Sequence, residues 1–261
     1  NIGVALMGET FMRSPNKVEK LTYLYGPTYY TPKVKMCGIS NVETIPAIID
    51  AKPDYMGLVF APSKRQVTVE QAKTLVEELH KQYAIRYNSR TEHTAVLPSL
   101  EPTNSETIKT VGVFVNETIE NLLKIAEEVK LDVIQLHGDE DESFIQILKE
   151  QSNVEVWKAV QVRSAADAEK WIDSSADMLL FDAYHKDERG GTGEVFDWSS
   201  LDEFERPFML AGGIDSTNVA RAIRTVRPYG IDISSGIETN GVKDDEKMKA
   251  FTNIVRTIAL S

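Results

Sequence analysis

The single cysteine of the chain, Cys37, ends a short apolar run, KVKMCGI (33–39). Because side chains alternate across a strand, Cys37 and Lys35 share one face of this run. A lone cysteine is most often a small buried apolar residue. A lysine on an inner face, however, must find a carboxylate, and it could lower the pKa of a neighbouring thiol. The pair therefore indicates a polar, functional site.

Other short apolar runs also carry polar residues at their carboxyl ends, on the face that alternation predicts to point inward. Each of these residues could have a purely structural role, since a strand-end aspartate often caps a helix and a histidine before a glycine can be an ordinary loop residue. Because the polar residues lie at the same end of several strands, however, a common functional site is favoured. They are Gln135 and His137 in VIQLHG (133–138), Asp182 in MLLFDAY (178–184), and Asp232 and Ser234 in GIDISSGI (230–237).

Two consecutive glycine-containing loops predict an anion site. Glycines let the backbone approach a ligand closely, and helix N-termini supply N–H donors for a phosphate. The residues that we expect to bind phosphate are Gly212 and Gly213 in AGGI, and Ser234, Ser235 and Gly236 in SSGIETNG. A third loop, RGGTGEVFDW, contains Gly190, Gly191 and Gly193, which would suit a lid over a bound ligand.

The elements that position these residues alternate between a β-branched run and an amphipathic stretch. Eight such units over about 230 residues match a (β/α)₈ barrel, whose polar site lies at the carboxyl ends of its strands. An open doubly wound sheet would need a glycine fingerprint after its first strand, and CGISN is not one. The eight predicted strands are 33–39, 54–60, 110–115, 133–138, 156–162, 178–184, 208–214 and 230–237.

Two segments lie outside the eight units. Residues 83–109 are polar, lack periodicity and contain two prolines, so we predict a long loop without a function. Residues 1–32 predict one additional strand and helix, which we treat as an N-terminal extension that precedes the barrel domain of 33–261.

Net charge, hydropathy and cysteine content exclude several classes of protein. The net charge of −11 disfavours a nucleic-acid partner, and no apolar run approaches a membrane span. One cysteine excludes an internal disulfide and a multi-cysteine zinc site, and it fits a cytoplasmic protein. No metal site is predicted.

The motifs KMCGIS, GLVFAPSKRQVT, VGVFVNE, QLHGDE, LLFDAY, GGTGEVFDW, LAGGI and DISSGIETNGVKD, in this order, resemble the phosphoribosylanthranilate isomerases of tryptophan biosynthesis. The resemblance covers 33–261. It implies a cofactor-independent Amadori rearrangement of a small phosphorylated substrate, N-(5′-phosphoribosyl)anthranilate.

The resemblance also implies residue roles. Cys37 corresponds to the general base and Asp182 to the general acid, while Arg65 in SKRQ corresponds to the arginine that contacts the anthranilate carboxylate. His137 and Asp232 correspond to polar pocket residues, and Lys35 is expected to join them. The loops AGGI and SSGIETNG correspond to the phosphate cradle.

Residues 1–26, through GVALMGETFMRSPN, resemble the last strand and helix start of indole-3-glycerol-phosphate synthase. The resemblance implies that the chain is the tail of a fused protein and keeps no synthase activity. Two alternatives for the barrel stay open. A histidine-pathway-like sugar isomerase would carry an aspartate where this chain has Cys37, and a non-catalytic barrel would be supported by loss of Cys37 or Asp182.

Overall fold

The computed structural model describes residues 31–91, 107–183 and 198–258. Eight parallel strands pair in chain order, and the first pairs with the last, so that the sheet closes into a barrel. This confirms the predicted (β/α)₈ fold. The strands are β1 (Lys33–Cys37), β2 (Tyr55–Val59), β3 (Lys109–Phe114), β4 (Val133–Leu136), β5 (Glu155–Val162), β6 (Met178–Ala183), β7 (Phe208–Ala211) and β8 (Gly230–Ile233).

Helices surround the barrel and begin at residues suited to helix starts. Thr118 and Asp141 cap two of them, since each side-chain oxygen accepts a hydrogen bond from a first-turn amide. The helices are α1 (Ile45–Ala51), α2 (Val69–Thr91), α3 (Ile119–Val129), α4 (Glu142–Gln151), α5 (Ala165–Glu169), α6 (Val219–Val226) and α7 (Asp245–Ile258). No helix in the described ranges is both long and apolar enough to cross a membrane.

Strand alternation divides the apolar residues between two cores, as the sequence predicts. Val34 and Met36 of β1 pack outward into the core beneath the helices, together with Ile231 and Ile233 of β8. The inside of the barrel is filled by a separate apolar cluster. Its members are Tyr55, Val111, Val133, Trp157, Ala159, Met178, Leu180, Met209 and Ala211. The interior is thus a packed core, and it leaves the polar inward residues at the strand ends.

The prediction of a loop over 83–109 is wrong in its first part. Helix α2 continues to Thr91. Residues 83–91 contain neither glycine nor proline, so nothing in this stretch interrupts a helix. The last turns of α2 have no apolar face to bury, but Arg86 forms an ion pair with Asp50 of α1, and this tertiary contact supports them. The rest of this segment, residues 92–106, lies outside the described residues.

Several strands end earlier than predicted, and the difference concerns the candidate site. Strand β7 stops at Ala211 because Gly212 and Gly213 have positive φ angles of 89° and 61°, which a strand does not allow. After β8 the chain forms a short 3₁₀ turn at Ser235–Ile237. The predicted phosphate residues therefore lie in loops at the carboxyl ends of their strands.

Candidate active site

Cys37 lies at the carboxyl end of β1, and its side chain is almost fully buried. Its surroundings fix it from two sides. The Ser234 hydroxyl donates a hydrogen bond to the Cys37 carbonyl at 3.1 Å, and Gly57 of β2 is its neighbour in register. A Cβ atom on Gly57 would stand 2.8 Å from the Cys37 Sγ, so the missing side chain makes room for the thiol.

Lys35 and Asp232 form a buried ion pair beside the thiol. The two residues are partners in register between β1 and β8, and the Lys35 Nζ lies 2.7 Å from the Asp232 Oδ2. The inference that an inward lysine needs a carboxylate is confirmed. The other carboxylate oxygen of Asp232 is buried and has no hydrogen-bond partner among the described residues. This oxygen therefore keeps unused capacity to accept a hydrogen bond, whereas the Lys35 ammonium is already paired.

Burial raises the pKa of the Cys37 thiol above its ordinary value. Lys35 and Lys243 act in the opposite direction, but Asp232 adds to the effect of burial. Lys35 thus acts on the thiol pKa in the direction that the sequence predicts, but its effect does not prevail. The physical reason is that Asp232 offsets the lysine charge while burial penalises the thiolate.

Because Cys37 is the only cysteine, its ionisation can be measured without labelling. The chain also has nine tyrosines that ionise at alkaline pH, so the thiolate absorbance is taken as the difference between the wild type and C37S. We expect this difference to titrate above pH ~8.5, the ordinary thiol range. At neutral pH, iodoacetamide should accordingly alkylate the folded protein more slowly than the same thiol in the urea-unfolded chain, which is the matched control. A folded-state midpoint near or below neutral pH would contradict the raised pKa.

His137 and Asp182 meet at the carboxyl ends of β4 and β6. The His137 Nδ1 lies 3.0 Å from the Gln135 Nε2, and the His137 Nε2 lies 3.4 Å from the Asp182 Oδ2. If the Gln135 amide donates to Nδ1, the proton of the neutral ring is on Nε2 and faces Asp182. His137 and Asp182 are both partly exposed, so a ligand can reach them from the mouth of the barrel, the open end formed by the carboxyl ends of the strands.

A buried ion pair holds the loop that follows His137. Glu140 accepts hydrogen bonds from the backbone amides of Asn116 at 2.7 Å and Gly138 at 2.9 Å. Lys158 donates to the Gly138 carbonyl at 2.6 Å and to the Glu140 carboxylate at 2.9 Å. Both side chains are almost fully buried. The loops after β3 and β4 are thereby tied together, and this fixes the backbone that carries the imidazole.

Arg65 lies in the turn after β2, and its guanidinium is paired with a residue that sequence analysis missed. Its Nε and Nη2 donate to the two carboxylate oxygens of Glu238 at 2.6 and 2.8 Å. Lys243 donates to the same carboxylate at 2.9 Å and to the Ser234 carbonyl at 2.9 Å. Burial alone would raise the pKa of Glu238, but these hydrogen bonds and charges hold it at about 2, so the carboxylate is ionised at neutral pH.

The sequence contains a signal for these missed residues. Glu238 and Lys243 are directly opposite each other in a two-stranded hairpin, β9 (Glu238–Thr239) and β10 (Val242–Lys243). Asn240 and Gly241 connect the strands with φ angles of 53° and 81°. Asn-Gly is the pair most typical of a tight hairpin turn, so ETNGVK predicts that Glu238 faces Lys243.

The loops after β7 and β8 lie in contact at the mouth. A Cβ on Gly236 would stand 2.3 Å from the Ile214 carbonyl oxygen, so only glycine allows this approach. The Gly213 carbonyl accepts a hydrogen bond from the Asn218 side chain at 2.7 Å, just before α6 begins. Phosphate binding by Gly212, Gly213, Ser234, Ser235 and Gly236 stays a prediction, as do the ligand contacts of Arg65, His137, Asp232 and Lys35.

The predicted lid glycines, Gly190, Gly191 and Gly193, lie outside the described residues. Within the part of the chain that the structure describes, no group of three or more histidine, cysteine, aspartate or glutamate side chains could hold a metal ion.

Comparisons with known proteins identify the family of the chain. The family described as "PRAI: N-(5'phosphoribosyl)anthranilate (PRA) isomerase" matches residues 85–254. N-(5′-phosphoribosyl)anthranilate isomerase of Thermoanaerobacter sp. (strain X514) is 45% identical over 228 residues, which are 87% of this chain and 98% of the relative. The isomerase of Streptococcus mutans is 39% identical over 226 residues, which are 86% of this chain and 98% of that protein.

Solved structures show the same relationship. The phosphoribosyl anthranilate isomerase of Thermotoga maritima has a TM-score of 0.69 and 33% identity, with 87% of this chain and 99% of that chain covered. An isomerase in complex with reduced 1-(o-carboxyphenylamino)-1-deoxyribulose 5-phosphate has a TM-score of 0.67 and 30% identity, covering 87% of this chain and 99% of that one. The chain belongs to the N-(5′-phosphoribosyl)anthranilate isomerase family.

Proposed function

We propose that this chain converts N-(5′-phosphoribosyl)anthranilate into 1-(o-carboxyphenylamino)-1-deoxyribulose 5-phosphate in tryptophan biosynthesis. The observation that carries the proposal is the placement of Cys37 and Asp182 at the carboxyl ends of β1 and β6, in a barrel of this family. A thiol and a carboxyl group at one mouth provide the base and the acid that an Amadori rearrangement needs.

The first step opens the sugar ring. The carboxyl group of Asp182 donates its proton to the furanose oxygen as the bond from C1′ to that oxygen breaks. The lone pair of the anthranilate nitrogen forms the C1′=N bond at the same time. His137, 3.4 Å from the Asp182 carboxylate, is placed to orient this side chain.

The second step removes the C2′ proton, which the adjacent C=N bond has made acidic. Cys37 accepts this proton in its thiolate form, which is the minor form at neutral pH because burial raises the pKa of the thiol. The electron pair of the C–H bond forms the C1′=C2′ bond while the C=N pair returns to nitrogen. The resulting enol gives its hydroxyl proton to the Asp182 carboxylate and takes the proton held by Cys37 at C1′, which gives the ketone. Both side chains thereby regain their starting protonation states, and since substrate and product are isomers, no atom or electron is left over.

Binding uses the groups around the acid and the base. The loops after β7 and β8 hold the phosphate through backbone amides, which matters in a chain with a net charge of −11. The unpartnered oxygen of Asp232 accepts from a sugar hydroxyl, and the ion pair with Lys35 holds that carboxylate in place. Arg65 binds the anthranilate carboxylate.

Replacing Arg65 by alanine should mainly weaken binding. We expect the KM for N-(5′-phosphoribosyl)anthranilate to rise about 100-fold, the effect of losing a partly buried charge pair, with a smaller change in kcat. Steady-state kinetics measure both constants. Lys64→Ala, at the exposed neighbouring position, is the control and should leave them unchanged. An unchanged KM in R65A would refute the carboxylate role.

The activity itself is tested by identifying the product. Freshly prepared N-(5′-phosphoribosyl)anthranilate is incubated with the protein and excess EDTA, and the solution is followed by NMR. We expect a new methylene signal at C1′ and a carbonyl carbon at C2′, with no added cofactor. Conversion only after a metal or a nucleotide cofactor is supplied would contradict the proposed chemistry.

We also propose that residues 1–26 derive from an indole-3-glycerol-phosphate synthase domain and that the enzyme is cytoplasmic. The motif GVALMGETFMRSPN supports the first proposal, and the single cysteine, which is typical of proteins in a reducing compartment, supports the second. A gene in which a synthase coding region runs in frame into this chain would agree with the fusion. A start codon immediately before Asn1 would refute it.

A further inference from the structure

The pairing of Arg65 with Glu238 uses only one edge of the guanidinium. The two parallel hydrogen bonds from Nε and Nη2 occupy the side edge in the bidentate geometry that carboxylates prefer. Nη1 has no hydrogen-bond partner among the described residues. The end edge, formed by Nη1 and the second N–H of Nη2, can therefore receive another carboxylate without disturbing Glu238.

Glu238 is itself held firmly. Its side chain is only 6% exposed, and Lys243, equally buried, donates to it from the neighbouring hairpin strand. Lys247 donates to the Glu238 backbone carbonyl at 2.7 Å. Because the hairpin fixes both the backbone and the carboxylate, Glu238 can fix the direction of the guanidinium that it binds.

The charges of Arg65, Lys243 and Glu238 favour the binding of a second anion beside Arg65. Arg65 and Lys243 contribute two positive charges against the single negative charge of Glu238, so the cluster keeps a net positive charge. The stem of Arg65 also passes over Gly38, where a Cβ would stand 2.4 Å from the Arg65 Cδ. Gly38 has a φ angle of 79°, so both its conformation and its missing side chain suit this path.

We propose that Glu238 is a positioning residue that directs the end edge of Arg65 toward the aryl carboxylate of the substrate and so sets the specificity for a carboxylated aromatic amine. This inference rests on the proposed function, because it takes the ligand of Arg65 from it. Glu238 does not touch the reacting atoms. It acts by reducing the rotational freedom that Arg65 would otherwise lose on binding.

The test compares two ligands that differ only in the carboxylate: reduced 1-(o-carboxyphenylamino)-1-deoxyribulose 5-phosphate and its phenylamino analogue. In Glu238→Gln we expect calorimetry to give about tenfold weaker binding of the first and unchanged binding of the second. KM should rise similarly while kcat changes little. In the Arg65→Ala background, Glu238→Gln should have no further effect, because the two residues act as one unit. Glu246→Gln, an exposed glutamate in α7, is the matched control.

Three results would overturn the inference. Equal loss for both ligands would mean that Glu238 only supports the fold of the mouth. Unchanged binding would mean that Arg65 needs no orientation, and tighter binding would mean that Glu238 competes with the substrate. An inactive wild-type protein would instead refute the proposed function, which keeps the two failures distinct.

A measurement on the wild type covers the case in which E238Q does not fold. The Nε–H of Arg65, assigned by its absence in R65A, should give an NMR signal that exchanges slowly with solvent. On titration with the carboxylated ligand it should shift and stay slow, since the bond to Glu238 persists. Fast exchange in the complex would show that the ligand displaces Glu238, and this would contradict the proposal.

Discussion

Replacing Cys37 by serine is expected to lower kcat about 10³-fold, within the range of 10² to 10⁴ typical of general bases. A serine hydroxyl fits the space beside Gly57 but ionises far less readily than a thiol, so it cannot take the C2′ proton. The binding of the reduced product should change little, because the side chain lies among groups that remain in place. Steady-state kinetics and calorimetry measure the two effects.

The matched control for C37S is Met36→Leu, one residue earlier on β1. Met36 points outward into the core beneath the helices, and a volume-conserving exchange there should cost little stability and no activity. Appreciable turnover by C37S would show that another group is the base. A loss in M36L of the same size would show that the effect comes from distortion of β1.

Replacing Asp182 by asparagine is expected to lower kcat by about 10² to 10⁴. The amide has nearly the shape of the carboxyl group and can still contact His137, but it cannot transfer a proton to the furanose oxygen. Because the lost interaction belongs to the transition state, kcat and kcat/KM should fall equally. Steady-state kinetics with N-(5′-phosphoribosyl)anthranilate measure both.

Asp173→Asn is the control for this variant, since Asp173 is exposed and precedes β6, at the end of the strand away from the mouth. Its kinetics should equal those of the wild type. If D182N raised KM and left kcat intact, Asp182 would be a binding group, and the acid would have to be sought elsewhere.

The alternation of side chains along the strands predicts most of the inward-facing residues of the site. The period of two separates Lys35 and Cys37 from Val34 and Met36, and the same rule places Asp182 and Asp232 inward. These positions follow from the backbone alone, so one sequence suffices to predict them. The strand ends were predicted less well, because loop conformations such as those of Gly212 and Gly213 depend on contacts between neighbouring loops.

The features that sequence analysis missed depend on residues distant in the chain. Glu238 and Arg65 are 173 positions apart, and their pairing requires the closed barrel. The continuation of α2 to Thr91 is supported by the ion pair between Arg86 and Asp50. The raised pKa of Cys37 reflects burial, which spacing does not reveal. Lys35 alone suggests a lowered pKa, and only its pairing with Asp232 shows why burial prevails.

The most direct test of the proposed function is the fluorescence of freshly prepared N-(5′-phosphoribosyl)anthranilate after the protein is added. We expect the fluorescence to decay at a rate proportional to wild-type enzyme concentration. At the same concentrations of C37S or D182N, the enzyme-dependent part of that rate should be about 10²- to 10⁴-fold smaller. Unchanged fluorescence with the wild type would contradict isomerase activity. Equal decay with all three proteins would contradict the roles of Cys37 and Asp182.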